Sequence, residues 1–260
     1  VFSDTLRMVN GIGLRHDQVD SETFFNGRVS NNTWRAFTNI EYKPVSQVNI
    51  NAGGFFERDN LTGSGFSPRI AFNIHLNDNN TVRVIVSKAV RMPDLVEQRA
   101  DWAYRNVVKS IPNSAFILSA ISPGNLRGEK SLSKEIGYFG NFPQHGIFID
   151  AKVFEDRLTD LISEKLQNAD FKPTNNNWTR LRGAEFQVSY TPTHRWSLHL
   201  AYSNLNNHAS NIFEQTQYAK HSGALGVTYA AANGWNTALA IYQYLANTNG
   251  QSRYGREDLT

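Results

Sequence analysis

The 260-residue sequence predicts an all-β fold, an antiparallel up-and-down transmembrane β-barrel, and three observations predict it. Apolar residues recur at every second position through about eleven separate stretches, the period of a strand with one apolar face. Short connections alternate with long ones, which gathers the long ones at one end of an up-and-down sheet. Aromatic residues crowd the short-connection end, at Tyr42, Phe142, Phe148, Tyr190, Trp196, Tyr229 and Trp235, as an interfacial girdle would.

Bulk composition is compatible with this class without requiring it. Hydrophobic residues make up 40% and mean hydropathy is −0.46. No apolar run approaches the ~18 residues of a spanning helix. A barrel needs only alternate residues apolar, so its mean hydropathy stays low. Aromatics reach 12%, a mix that favours strands. There are no cysteines, which excludes disulfide frameworks, zinc–thiolate sites and thiol catalysis. A net charge of +3 is spread over 26 basic and 23 acidic residues; this is no nucleic-acid footprint, which needs clustering on one face.

The elements follow in order. Leu6, Met8, Ile12 and Leu14 oppose Arg7, Gly13, Arg15 and Asp17. Trp34, Ala36, Thr38, Ile40 and Tyr42 oppose Arg35, Asn39, Glu41 and Lys43, and a turn at 44–47 leads to Val48, Ile50, Ala52 and Phe56. Ile70, Phe72, Ile74 and Leu76 precede an Asn/Asp turn at 77–80, and Val82, Val84 and Val86 follow. Ile136, Tyr138 and Phe142 turn at 143–146 into Ile147, Ile149, Ala151 and Val153. Ala184, Phe186, Val188 and Tyr190 turn at 191–195 into Trp196, Leu198, Leu200 and Tyr202. Leu225, Val227 and Tyr229 turn at 230–234 into Trp235, Leu239 and Ile241. Long connections are expected at 20–33, 58–66, 92–130, 158–178 and 204–217. Asp156 to Glu164 (DRLTDLISE) has helical spacing and reads either as a short helix or as a strand top. A soluble β-sandwich or β-solenoid would also alternate, but explains neither the one-sided connection lengths nor the aromatics.

The chain is organised around residues 80–140: a strand, a connection of about three dozen residues, and a returning strand. Connections beyond ~15 residues are uncommon in compact domains and tend to be functional. The first flank reads Ala89-Val90-Arg91-Met92-Pro93-Asp94-Leu95, with Glu97 close behind. The second reads Pro123-Gly124-Asn125-Leu126-Arg127-Gly128-Glu129-Lys130-Ser131, then Glu135-Ile136-Gly137-Tyr138. These paired half-motifs resemble those of TonB-dependent outer-membrane receptors of the siderophore type. There a basic-aromatic-Ala-Pro strand end precedes a long extracellular loop, which closes on an Asn-Pro-Asn-Leu-x-Pro-Glu-x-Ser run. Met92 and Gly128 stand where Ala and Pro are usual. Arg91, Pro93, Asn125, Leu126, Glu129, Glu135 and Gly137 are the motif positions. PRIAFNIHLNDNNTVRV and RLRGAEFQVSYTPTHRWSLHLAYSNL are also similar to strand–turn–strand units of that family.

The resemblance implies a barrel that binds a ferric siderophore or similar scarce nutrient through extracellular loops and a plug. The TonB complex, acting through that plug, would supply energy, with outer-membrane lipid around the barrel. It implies no enzyme activity, cofactor or nucleic-acid partner. Residues 1–260 are expected to be an internal to C-terminal part of a larger barrel of ~22 strands, with plug and final strands elsewhere. Arg83, Glu135, Asp150 and Glu185 would line the wall against the plug, and Glu129, Glu135 and Gly137 would have structural roles. Within the connection, Arg99, Trp102, Tyr104, Arg105 and Lys109 combine aromatic faces with cations, the pairing that stacks on and neutralises an anionic catecholate or carboxylate ligand. An ordinary exposed loop held to the rim by its aromatics is the competing reading for each residue singly.

Other chemistry is sparse. Seven histidines are scattered; only His194 and His199 lie close, and they straddle a turn, a poor metal-ligand spacing. Residues 94–124 contain no histidine, which counts against haem. Gly11-Ile12-Gly13 and Gly63-Ser64-Gly65 lack the strand–turn–helix context of a phosphate cradle. The alternative reading is a stand-alone small outer-membrane barrel acting as a hydrolase, adhesin or passive channel. No nucleophile-elbow motif supports the hydrolase.

Overall fold

The computed structural model describes residues 5–107, 115–163, 170–171, 173–216 and 218–246. Strands β1 (Leu6–Ser21), β2 (Gly27–Val45), β3 (Val48–Asp59), β4 (Gly63–Asn77) and β5 (Asn80–Arg91) form a meander, with a helical turn α1 (Glu22–Phe25) between the first two. Between β5 and the next wall strand lie helix α2 (Leu95–Arg99) and strands β6 (Asp101–Val107) and β7 (Ala115–Ile121). The wall resumes with β8 (Glu129–Phe142) and β9 (Ile147–Ser163), followed by the two-residue β10 (Asp170–Phe171). It continues with β11 (Thr174–Thr193), β12 (Trp196–Ala209), a helical turn α3 (Ile212–Gln215), β13 (Ala219–Ala230) and β14 (Asn236–Ala246).

Eleven strands make one antiparallel sheet, each paired with its neighbour along the chain once β6, β7 and β10 are set aside. Those three form a small separate sheet. The large sheet is open among the described residues, with β1 and β14 at its edges.

Period two sorts the side chains. One face carries Ile12, Leu14, Trp34, Ile136, Val153, Leu225 and Ile241, all exposed. The other carries paired charges: Arg83 donates to Glu135 (2.7 Å) and Asp150 (3.3 Å), and Lys152 meets Glu185 at 2.9 Å. A sheet with its apolar residues exposed and its charges paired on the opposite face is inverted relative to a soluble sandwich; it suits lipid outside and a polar lumen. Tertiary burial is accordingly thin and concentrates at the end where the longest connection returns, with Pro93, Ala100, Ala120, Leu126 and Pro173 buried there.

Several expectations need correction. Residues 20–33 are not a loop: β1 and β2 pair to their ends, Ser21 opposite Gly27. The connection at 58–66 shrinks to residues 60–62. Of the two readings of Asp156 to Glu164, the structure takes the strand top, as far as Ser163, and β11 and β12 also run far into their supposed loops. The strands outrun their apolar stretches because a hydrogen-bonded ladder needs no apolar face once it leaves the bilayer. Of the girdle aromatics, Phe148 points to the polar side and packs edge-to-face on Phe139 at 5.0 Å. Trp196 and Tyr229 pair on the apolar face at 4.5 Å.

A candidate ligand site beneath the longest connection

Residues 92–128 are anchored by side chains rather than by a sheet ladder. Helix α2 starts with a capping box. Asp94 Oδ1 accepts the Glu97 N–H at 2.8 Å, and Glu97 Oε2 accepts the Asp94 N–H at 2.9 Å. Pro93 blocks extension of the preceding strand. Glu97 also receives Arg91, whose Nη2 and Nη1 donate to Oε1 (2.8 Å) and Oε2 (3.0 Å). The Arg91 Nε donates to Glu129, whose other oxygen accepts the Ile162 N–H at 2.7 Å. One guanidinium thus ties the exit of the connection to its return. The two carboxylates, Glu129 first and Glu97 second, push the Arg91 pKa further above its ordinary value.

The deepest tie is Gln98, only 2% exposed. Its amide makes a reciprocal pair with Leu126: Nε2 donates to the carbonyl at 3.0 Å, and Oε1 accepts the N–H at 3.1 Å. Ser122 donates from Oγ to the Glu97 carbonyl and from its N–H to the Ala100 carbonyl. A second clasp lies alongside. Asp160, at φ +56°, accepts Arg127 Nη2 and Lys130 Nζ, each at 2.8 Å. Asn175 bridges the Arg127 backbone (2.7 and 2.9 Å) and the Asp160 carbonyl (2.7 Å). Lys130, then Arg127, hold the Asp160 carboxyl below its ordinary value.

The structure brings Arg91, Pro93, Leu126 and Glu129 together and leaves Asn125 exposed beside them. The two departures from the motif are complementary. A β-carbon at Gly128 would stand 2.8 Å from Val90 Cγ1 and 3.2 Å from Met92 Sδ, so the longer Met92 occupies room that a side chain at Gly128 would need. Glu135 and Gly137 lie lower, on the wall. Arg83 crosses directly over Gly137, where a β-carbon would meet its Nε at 2.8 Å, and this lets the guanidinium reach Glu135.

Between α2, the return segment and the apex of β1–β2 is a cavity of about 550 Å³. Arg28, Leu61, Arg99, Asp101 and Pro123 are among its lining. Arg99 makes no ion pair among the described residues. Arg28 meets Asp20 at 3.0 Å on the surface. Trp102 is not among the residues lining this cavity. It packs edge-to-face on Phe24 at 6.3 Å, docking β6 against α1. Tyr104 and Arg105 lie on β6 with side chains outside the described residues, as is the whole of Lys109. Arg28 and Gln98 were missed by sequence reasoning; nothing local distinguishes either from its polar neighbours.

A Ser–His pairing exists on β11–β12. Ser189 Oγ and Ser197 Oγ each lie 2.9 Å from a ring nitrogen of His199. Both nitrogens are thereby occupied by hydroxyls, leaving none for the carboxylate that orients a catalytic imidazole.

The family model described as "TonB dependent receptor-like, beta-barrel" matches residues 4–260. An iron-regulated outer membrane virulence protein of Vibrio cholerae is 30% identical over 96 residues, 35% of this chain and 15% of that protein. Among solved structures, the siderophore receptor PirA from Pseudomonas aeruginosa superposes with a TM-score of 0.77 at 13% identity, over 95% of this chain and 47% of that one. A variant of the ferric enterobactin receptor PfeA from the same organism, in complex with enterobactin, gives 0.76 at 12% identity, over 94% and 40%. At such identities the structures speak for the fold. The chain spans less than half the length of each of these proteins.

Proposed function

The chain belongs to the TonB-dependent receptor-like β-barrel family, and from that premise we propose that it is the ligand-selecting part of an importer of ferric siderophores. Its place is the bacterial outer membrane. The apolar face meets lipid and the charged face meets the lumen. Residues 92–130 form an extracellular loop, and the short turns face the periplasm. The substrate binds at the loop end. Energy from the TonB complex, acting through a plug domain against Arg83, Glu135, Asp150 and Glu185, admits it. No chemistry is done on the substrate, as befits a receptor family.

One observation carries the ligand class: the cavity beneath the loop. Its ~550 Å³ lies within the common range for small-molecule sites. Arg99 lines it without an ion pair among the described residues, and Arg28, which meets Asp20 on the surface, lines it too. Two guanidinium groups at such a mouth favour an anionic complex that presents planar oxygen donors. The iron-regulated relative and the siderophore-receptor folds agree with this ligand class.

The test uses the complete receptor and three iron-loaded probes: a tricatecholate, a trihydroxamate and a carboxylate siderophore. Binding of at least one is expected, with affinity lost on deleting residues 95–122. Arg99→Ala with Arg28→Ala is expected to weaken binding by roughly tenfold or more. Unchanged affinity in both variants would remove this end of the barrel from recognition.

A further inference from the structure

The lipid-facing side of β5, β8, β9 and β11 changes character at one height. Along β9, Ile147, Ile149, Ala151 and Val153 give way to Glu155 and Arg157; along β11, Tyr190, Val188, Phe186 and Ala184 give way to Arg182 and Arg180. β8 passes from Tyr138 and Ile136 to Lys134, and β5 from Val82, Val84 and Val86 to Lys88. The register aligns these changes. Lys88 lies opposite Leu132, Leu132 opposite Arg157, Arg157 opposite Arg180 and Arg180 opposite His208. The row below pairs Lys134 with Glu155 and Glu155 with Arg182. Five cations therefore share a patch with one carboxylate.

That carboxylate is shared by two of them. Glu155 takes Arg180 Nη2 at 2.7 Å and Arg182 Nε at 2.6 Å on the same oxygen. Arg157 makes no ion pair among the described residues. The Nε of Arg180 is buried and has no hydrogen-bond partner. Arg157, Thr159, Trp178, Arg180 and His208 line an open cavity of about 300 Å³, with Trp178 edge-on to His208 at 5.3 Å. A small outward-facing cavity thus presents two guanidinium groups, Arg157 without an ion pair among the described residues and Arg180 with an unused buried donor, a lining that suits an anion.

Height identifies the anion. Arg180 is ten residues from the girdle residue Tyr190. At ~3.3 Å per residue and a tilt of ~40°, that is roughly 25 Å along the membrane normal, the thickness of a barrel's apolar band. The cavity thus stands where the headgroups of the outward leaflet begin, with Val153, Ala184 and Phe186 beneath it in position for acyl chains. We propose that this cavity binds the phosphate of a phosphorylated lipid headgroup in the outward leaflet. Arg157 and Arg180 ligate the phosphate, and Trp178 packs against the sugar it is attached to.

The experiment is native mass spectrometry of the complete, delipidated receptor titrated with diphosphorylated lipid A, its dephosphorylated form, and inorganic phosphate. Lipid A is expected to bind, the dephosphorylated lipid to bind at least tenfold more weakly, and Arg157→Gln with Arg180→Gln to abolish that preference. Folding is checked by heat-modifiable electrophoretic mobility. If the double variant does not fold, Arg157→Gln alone decides, because it breaks no ion pair. Equal binding of the two lipids, an unaltered preference in the variant, or inorganic phosphate binding as tightly as the lipid would each overturn the assignment. The result is independent of siderophore binding, which is measured at the opposite face of the loop end.

Discussion

The two ends of the barrel wall are held by different means. At the short-turn end, the chain reverses over a few residues and the backbone is the fastener. The Thr191 N–H and Oγ1 both donate to the Gly146 carbonyl, at 2.7 and 3.1 Å, and Trp196 stacks on Tyr229 beside it. At the other end, polar side chains reach across long sequence separations: Arg91 to Glu129, Gln98 to Leu126, Asp160 to Lys130 and Arg127. A backbone fastener tolerates most side chains but no steric intrusion. A side-chain fastener opens when one amide or carboxylate changes, without touching the wall. That division would let the loop end change its side chains while the membrane-spanning ladder is kept.

The sharpest way to break the short-turn end is Gly146→Ala. Gly146 sits at φ +63°, and a β-carbon there would stand 2.1 Å from the Thr191 carbonyl oxygen. The left-handed backbone alone costs an L-residue roughly 1–2 kcal/mol, and relieving the contact requires the β8–β9 turn to move away from the end of β11. The expected outcome is a large loss of the folded, heat-modifiable species on electrophoresis. The fraction that does fold should bind ligand normally. A full yield of folded barrel would mean that this turn is more yielding than its geometry implies.

At the loop end the corresponding change is Gln98→Leu, close in volume but without the amide. It leaves the buried N–H and carbonyl of Leu126 unpaired, at about 1–3 kcal/mol for each group not rescued by water. Barrel yield is expected to stay normal. Hydrogen exchange at Leu126 should accelerate by roughly tenfold or more, and ligand affinity should fall with it. Loss of the barrel itself would erase the distinction between the two ends.

The wall was legible in the sequence because its signal is local. Val82, Val84 and Val86, or Ile147, Ile149 and Ala151, announce both a strand and its outward face without reference to any partner. Strand length was not legible, since Asn204 to Ala209 and Asp17 to Ser21 lose the apolar period while keeping the ladder. Phe148 shows the limit of counting aromatics: one residue of register put it on the lumen side. The helix at Leu95–Arg99 was not read from the sequence, and Gln98 carries no local mark, because its partner lies 28 residues away. Arg91 and Glu129 were picked out only through resemblance to known half-motifs. Their contact across 38 residues is a property of the fold. The basic cavity on the lipid face escaped for the same reason, since Arg157 and Arg180 become neighbours only through the β9–β11 register.

Acid offers the mildest separation of the two ends. The Asp160 carboxyl is held below its ordinary value by Lys130 and then Arg127. A depressed folded pKa means that the clasp contributes fully above the unfolded value of about 3.9 and is lost as pH falls from there through the folded one. Between pH 7 and 5 the segments around Arg127 and Asp160 should therefore exchange amide hydrogens at a constant rate, once intrinsic rates are corrected. Below about pH 4 they should loosen, while the Gly146–Thr191 contact between the two short turns, with no carboxylate in its hydrogen bonds, stays protected. Asp160→Asn should show the loosened exchange already at pH 7 and no further change in acid. If wild type and variant respond to acid alike, Asp160 is not what holds this side of the loop, and the clasp reduces to Asn175 and its backbone bonds.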